Sequence, residues 1–106
     1  MPNGFTLAKG VEFFYEGTPS EGTTIEFGMN CTCEVSGNEY SLLRTAFPPG
    51  AVVPVGASRD NPPAGSLGAW LRDNIREKRA VASYVAAILV AAGWASRENS
   101  RTIRFK

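Results

Sequence analysis

Glutamates, cysteines and arginines are the residues of this chain with types and spacing suited to chemistry, and the absence of histidine is as informative. There is no histidine among its 106 residues, so the commonest general base and the commonest metal ligand are both missing. Glu12, Glu16, Glu26 and Glu34 share the parity of polar positions in two strand-like stretches. Paired carboxylates can do acid/base work, but one of them must be buried enough to hold a proton. No apolar residues are placed to make such a pocket, so a solvated acidic face is expected. A glutamate-based hydrolase or metal-dependent enzyme is the least supported function class.

Cys31 and Cys33 form a Cys-x-Cys pair on the apolar parity of the same stretch. A reactive cysteine needs exposure and a positive neighbour, and a zinc site needs four ligands, which two cysteines without histidine cannot supply. Both therefore read as small buried hydrophobes, with no catalytic residue, no metal and no cofactor expected. Two cysteines are too few for a disulfide-stapled secreted scaffold. With no basic and apolar leader at residues 1–10, a cytoplasmic protein is expected. Asn30-Cys31-Thr32 matches a glycosylation acceptor pattern that such a compartment would not use.

The basic residues carry the stronger signal. Net charge is +1, from 11 Lys and Arg against 10 Asp and Glu, but the signs are segregated along the chain. Residues 1–50 hold Lys9 and Arg44 against six glutamates, 2 − 6 = −4, and residues 51–106 hold nine cations against four acids, 9 − 4 = +5. Eight of those cations, Arg72, Arg76, Lys78, Arg79, Arg97, Arg101, Arg104 and Lys106, are candidates for contacts with nucleic acid or an acidic protein surface.

The elements that must position these residues can be read from periodicity. In 23–36, Ile25, Phe27, Met29, Cys31, Cys33 and Val35 alternate with polar residues, which predicts a half-buried strand bent at Gly28. A strand over 5–16 is expected before it, with Phe5, Leu7, Val11, Phe13 and Tyr15 on one side, and the loop Gly17–Gly22 between them. Ser36-Gly37-Asn38 reads as a turn into a third strand at 39–47, and Ala51–Val55, containing Pro54, as a short edge strand. The Gly/Pro-rich loop 56–65 leads to a helix N-terminus where backbone N–H groups could attract an anion, although it lacks the glycine spacing and lysine of a phosphate-binding loop.

Ser66 is a suitable N-cap for a helix with Leu67, Trp70, Leu71, Asn74 and Ile75 on one face. A second helix, about 80–92, has Val81, Tyr84, Val85, Ile88, Leu89 and Ala92 in register, with Gly93 placed to end it. Its other face, including Ala82, Ala86, Ala87, Val90 and Ala91, is made of small residues. That face predicts burial either inside the chain or against a copy of itself. The uncharged run 80–96 is too short and too rich in alanine to span a bilayer, so no membrane partner is expected. Residues 94–106 read as a hairpin with Glu98-Asn99-Ser100 at its tip.

These elements give a single α+β domain over 1–106. An antiparallel meander of three or four strands packs against two C-terminal helices and ends in a short hairpin or strand. From Ser66 onward the order helix, turn, helix, basic hairpin resembles that of winged-helix DNA binders, and Arg97, Arg101, Arg104 and Lys106 fall where a wing would touch phosphates. A helix that reads base edges needs polar side chains, and residues 80–92 offer only Ser83 and Tyr84. The resemblance therefore implies sequence-tolerant nucleic-acid binding by a non-catalytic protein. The rival expectation is a homodimeric adaptor or inhibitor that uses the second helix's small-residue face or the acidic sheet.

Overall fold

The computed structural model describes residues 2–58 and 61–106, and its fold is α+β. An antiparallel four-stranded meander is formed by β1 (Asn3–Phe5), β2 (Glu12–Thr18), β3 (Gly22–Phe27) and β4 (Cys31–Ser36), in that spatial order. Each of the two long strands expected from alternation is folded into two. At 23–36 the chain reverses at Gly28, Met29 and Asn30, with Gly28 and Asn30 both at positive φ, so that Phe27 pairs with Cys31. Gly28 therefore closes a hairpin rather than bending one strand. Met29 stands at its tip, 92% exposed.

The first stretch also folds back on itself. The turn over 6–11 is closed by the Thr6 amide donating to the Val11 carbonyl at 2.9 Å and the Gly10 amide donating to the Thr6 carbonyl at 2.9 Å. Phe5 consequently pairs with Glu12 and shares the outer face with it, while Phe13 points into the core. Phe5 and Val11 are thus exposed rather than in line with Phe13 and Tyr15.

The largest departure from expectation is at 39–47, which is helical. Helix α1 (Gly37–Ala46) begins with a capping box: the Glu39 amide donates to Ser36 Oγ at 3.1 Å, and the Ser36 amide donates to Glu39 Oε1 at 2.9 Å. Tyr40 and Leu43, three apart, form its buried face. Serine followed three residues later by glutamate is a helix-start signature, and here it prevails over a glycine and an asparagine that suit a turn. The Tyr40 hydroxyl and Thr23 Oγ1 lie 2.7 Å apart in the core, linking α1 to β3.

Strand β5 (Val52–Pro54) is an edge strand, as proline there requires, and helix α2 (Leu67–Asn74) begins at Ser66, whose Oγ accepts from the Ala69 amide at 3.1 Å. Helix α3 (Ala82–Ala91) is followed by Gly93 at positive φ, and the chain ends in the hairpin β6 (Ala95–Asn99) and β7 (Thr102–Phe105). β7 lies between β5 and β6, giving a second, three-stranded antiparallel sheet. One apolar cluster joins the two sheets, with Phe13, Ile25 and Val35 from the meander and Val53, Ile103 and Phe105 from the second sheet.

Helix α3 lies at the centre of this cluster, in contact with β1, β6 and α2. Its Tyr84 ring packs against Phe13 and Phe27 at centroid distances of 5.1 and 4.8 Å. A helix covered on nearly all sides needs no polar face, which accounts for its composition. No helix among the described residues is long and apolar enough to cross a membrane.

Candidate functional site

The basic hairpin is set by its alternation. Ile103 and Phe105 of β7 point into the core, which turns Arg104 outward, and Lys106 beyond the strand end is exposed. Arg97 and Arg101, near and at the tip, are exposed as well. The register slips between Arg97 and Asn99, and Asn99 Oδ1 accepts from the Arg101 amide at 2.9 Å, which holds the tip. The hairpin has one carboxylate, Glu98, and Arg104 pairs with it.

The cations around α2 are differently engaged. Arg72 lies 3.3 Å from Asp73. Lys78 turns back on α2, its Nζ donating to the carbonyls of Arg72 and Ile75 at 2.8 and 2.9 Å, so it closes the helix C-terminus. The guanidinium of Arg79 grips Glu77 with two nitrogens, at 2.8 and 2.9 Å, donates to the Thr32 carbonyl at 2.6 Å and lies over Phe27, 5.4 Å from its centroid. It therefore fastens the α2–α3 linker to the edge of β4. Those hydrogen bonds hold the Glu77 carboxyl down at about 2 and raise the Arg79 pKa further. The Arg76 amide donates to Glu39 Oε2 at 2.7 Å.

Of the eight cations singled out from the sequence, Arg72, Arg79 and Arg104 thus form the ion pairs seen among the described residues. Lys78 caps a helix, and Arg76, Arg97, Arg101 and Lys106 are exposed and form no such pair among the described residues. Sequence reasoning missed Lys9. It stands in the turn between β1 and β2 and lines the same cavity as Arg101, although 92 positions separate them. No local pattern could have joined them.

The negative counterpart is the outer face of the meander, where Glu12, Glu16, Glu26 and Glu34 are all exposed. Thr24 pairs with both Glu16 and Glu34, and Glu26 pairs with Phe14. Phe5 and Phe14, 55% and 38% exposed, lie on the same face diagonally across β1 and β2. Both sheets turn their inner faces to one apolar cluster, and these glutamates stand on the side of the meander away from it.

The remaining candidates are placed as follows. Ala82, Ala86 and Ala87 are core residues, Val90 is partly buried, and only Ala91 of the small-residue face is exposed. Cys33 is buried and its thiol is pushed up to about 11, chiefly by that burial, while Cys31 is partly buried. No cluster of three metal-ligating side chains occurs among the described residues. The α2 N-terminus is already satisfied by the protein itself: besides the Ser66 cap, the Gly68 amide donates to the Val55 carbonyl at 2.9 Å. Of loop 56–65, Arg59 and Asp60 lie outside the described residues.

No protein-family model, curated protein or solved structure matches this chain.

Proposed function

We propose that this is a small, non-catalytic nucleic-acid-binding protein that holds phosphates through the hairpin β6–β7 without reading sequence. The observation that carries this reading is the separation of sign. Four glutamates crowd the outer face of the meander, and the hairpin segment presents Arg97, Arg101 and Lys106 with its only carboxylate engaged by Arg104. The order of elements from α1 to β7 resembles that of winged-helix proteins, with the hairpin in the position of the wing. Tolerance of sequence follows from α3, which has no polar side chain to offer beyond Ser83 and Tyr84, and whose Tyr84 is covered by Phe13 and Phe27.

A mobility-shift titration across a salt series tests this. Three or four phosphate contacts predict a log–log slope near −3, with Arg97→Ala or Arg101→Ala each lowering the slope by about 1. Scrambled duplexes should bind equally well. Binding that ignores salt, or is missing even at roughly 50 mM, would end the proposal.

A second reading, protein binding, is favoured by Phe5 and Phe14 standing exposed among glutamates. An aromatic pair rimmed by acids suits a basic partner surface. The small-residue face of α3 adds little to a homodimer, since Ala82, Ala86 and Ala87 are already in the core. Light scattering on wild type and Phe14→Ser decides for a second copy: a strict monomer in both removes that form of the reading.

A further inference from the structure

A cavity of about 410 Å³ opens at the tip of the hairpin, between the β1–β2 turn, the end of β5, α3 and the β6–β7 turn. Leu7, Val55 and Ala86 give it apolar walls, Ser83 and Ser100 add hydroxyls, and Lys9 and Arg101 supply two positive charges. No carboxylate lines it among the described residues. Its size falls within the range of small-molecule sites, which combine apolar walls with a few convergent polar groups.

Backbone hydrogen bonds hold the walls in place. The Val55 amide donates to the Arg101 carbonyl at 2.9 Å, tying the hairpin tip to β5, and the turn that carries Lys9 is closed by its own pair of bonds. A preformed site loses little to ordering when it binds. Apolar walls disfavour a hydrated inorganic anion, and the two cations that line the cavity among the described residues disfavour a neutral hydrocarbon. The ligand that satisfies both has a negative head and an apolar body.

We propose that this cavity binds a small carboxylate with an apolar body, the carboxylate held by Lys9 and Arg101 and the body lying against Leu7, Val55 and Ala86. The proposal goes beyond nucleic-acid binding and shares only Arg101 with it. The test is an amide-shift titration of the full-length ¹⁵N-labelled chain with sodium octanoate, with 1-octanol and inorganic phosphate as separate arms. Octanoate should give saturable shifts concentrated at Leu7, Ser83, Ser100 and Arg101, and should bind at least about tenfold more tightly than either control. Arg101→Gln, an exposed substitution, should weaken octanoate about tenfold. Arg97→Gln should leave octanoate binding unchanged while weakening the binding of nucleic acid, so that the two proposals fail separately. Ser83→Leu, which fills the cavity, should abolish binding while the spectrum stays native. The inference is overturned if octanoate gives no saturable shifts, if octanol or phosphate matches it, or if Arg101→Gln binds it as wild type does.

Discussion

Glu39 joins two parts of the chain through one carboxylate, and its replacement separates two interactions of known type. Oε1 accepts the Ser36 amide at 2.9 Å and completes the capping box of α1, and Oε2 accepts the Arg76 amide at 2.7 Å from the α2–α3 linker. Losing the cap should cost about 1 kcal/mol. Losing a charge-assisted bond to a solvent-accessible amide should cost about 1 kcal/mol more. Glu39→Ala is therefore expected to destabilise the protein by about 2 kcal/mol, equivalent to roughly 10 °C in Tm for a domain of this size. Glu39→Gln has one acceptor oxygen instead of two and can keep only one of the bonds, so about half of that loss is expected. Ser36→Ala removes the reciprocal cap alone, near 1 kcal/mol. Urea unfolding followed by tryptophan fluorescence gives the differences, and Cα chemical shifts across 37–46 report whether α1 persists. If Glu39→Ala unfolds within about 0.3 kcal/mol of wild type, or if Glu39→Gln is as damaging as alanine, the double role assigned to this carboxylate is wrong.

Other expectations follow from single contacts. Tyr40→Phe strands the Thr23 hydroxyl in the core and should cost about 1 to 1.5 kcal/mol, whereas adding Thr23→Val should recover part of that loss; a double-mutant cycle measures the coupling. With its thiol pushed up to about 11 by burial, Cys33 should stay unalkylated by iodoacetamide at pH 8 in the native protein, while partly exposed Cys31 reacts. Mass spectrometry of digested peptides distinguishes them, and equal labelling would contradict the burial. The Glu77 carboxyl is held at about 2, below its ordinary 4.5, so its pairing with Arg79 stabilises the fold above about pH 4.5 and that contribution is lost as the pH falls towards 2. Urea midpoints of Glu77→Gln should therefore lie below wild type at neutral pH and converge with it in acid, and a gap independent of pH would refute the linkage. Arg79→Ala should lower stability yet leave the salt slope for nucleic acid unchanged, because its guanidinium is engaged with Glu77 and Thr32.

How much was legible depended on whether a pattern was local. The Ser66 cap, the α2 face of Leu67 and Leu71, the edge position of Pro54 and the C-terminal hairpin could all be read, since each depends on residues a few positions apart. The capping box at Ser36 and Glu39 was equally local and was outweighed by the turn propensity of Gly37 and Asn38; its Ser-x-x-Glu spacing was the signal that would have found α1.

The chain reversals at Gly28 and in the turn 6–11 were of another kind. A three-residue loop keeps Phe27 and Cys31 on one parity, so alternation runs through the hairpin as though the strand continued. The turn after Phe5 shifts parity, and only the strand pairing shows that Phe5 faces water beside Glu12.

Residue order by itself determined the α+β class, the lack of histidine chemistry and the charge imbalance between the halves, because composition and short-range periodicity suffice for these. Tertiary structure decided which cations remain exposed, that α3 is enclosed rather than displayed, and that Lys9 meets Arg101 at one cavity. Charge pairing and pocket formation depend on distances between segments far apart in the chain, and only packing around a shared core sets those distances.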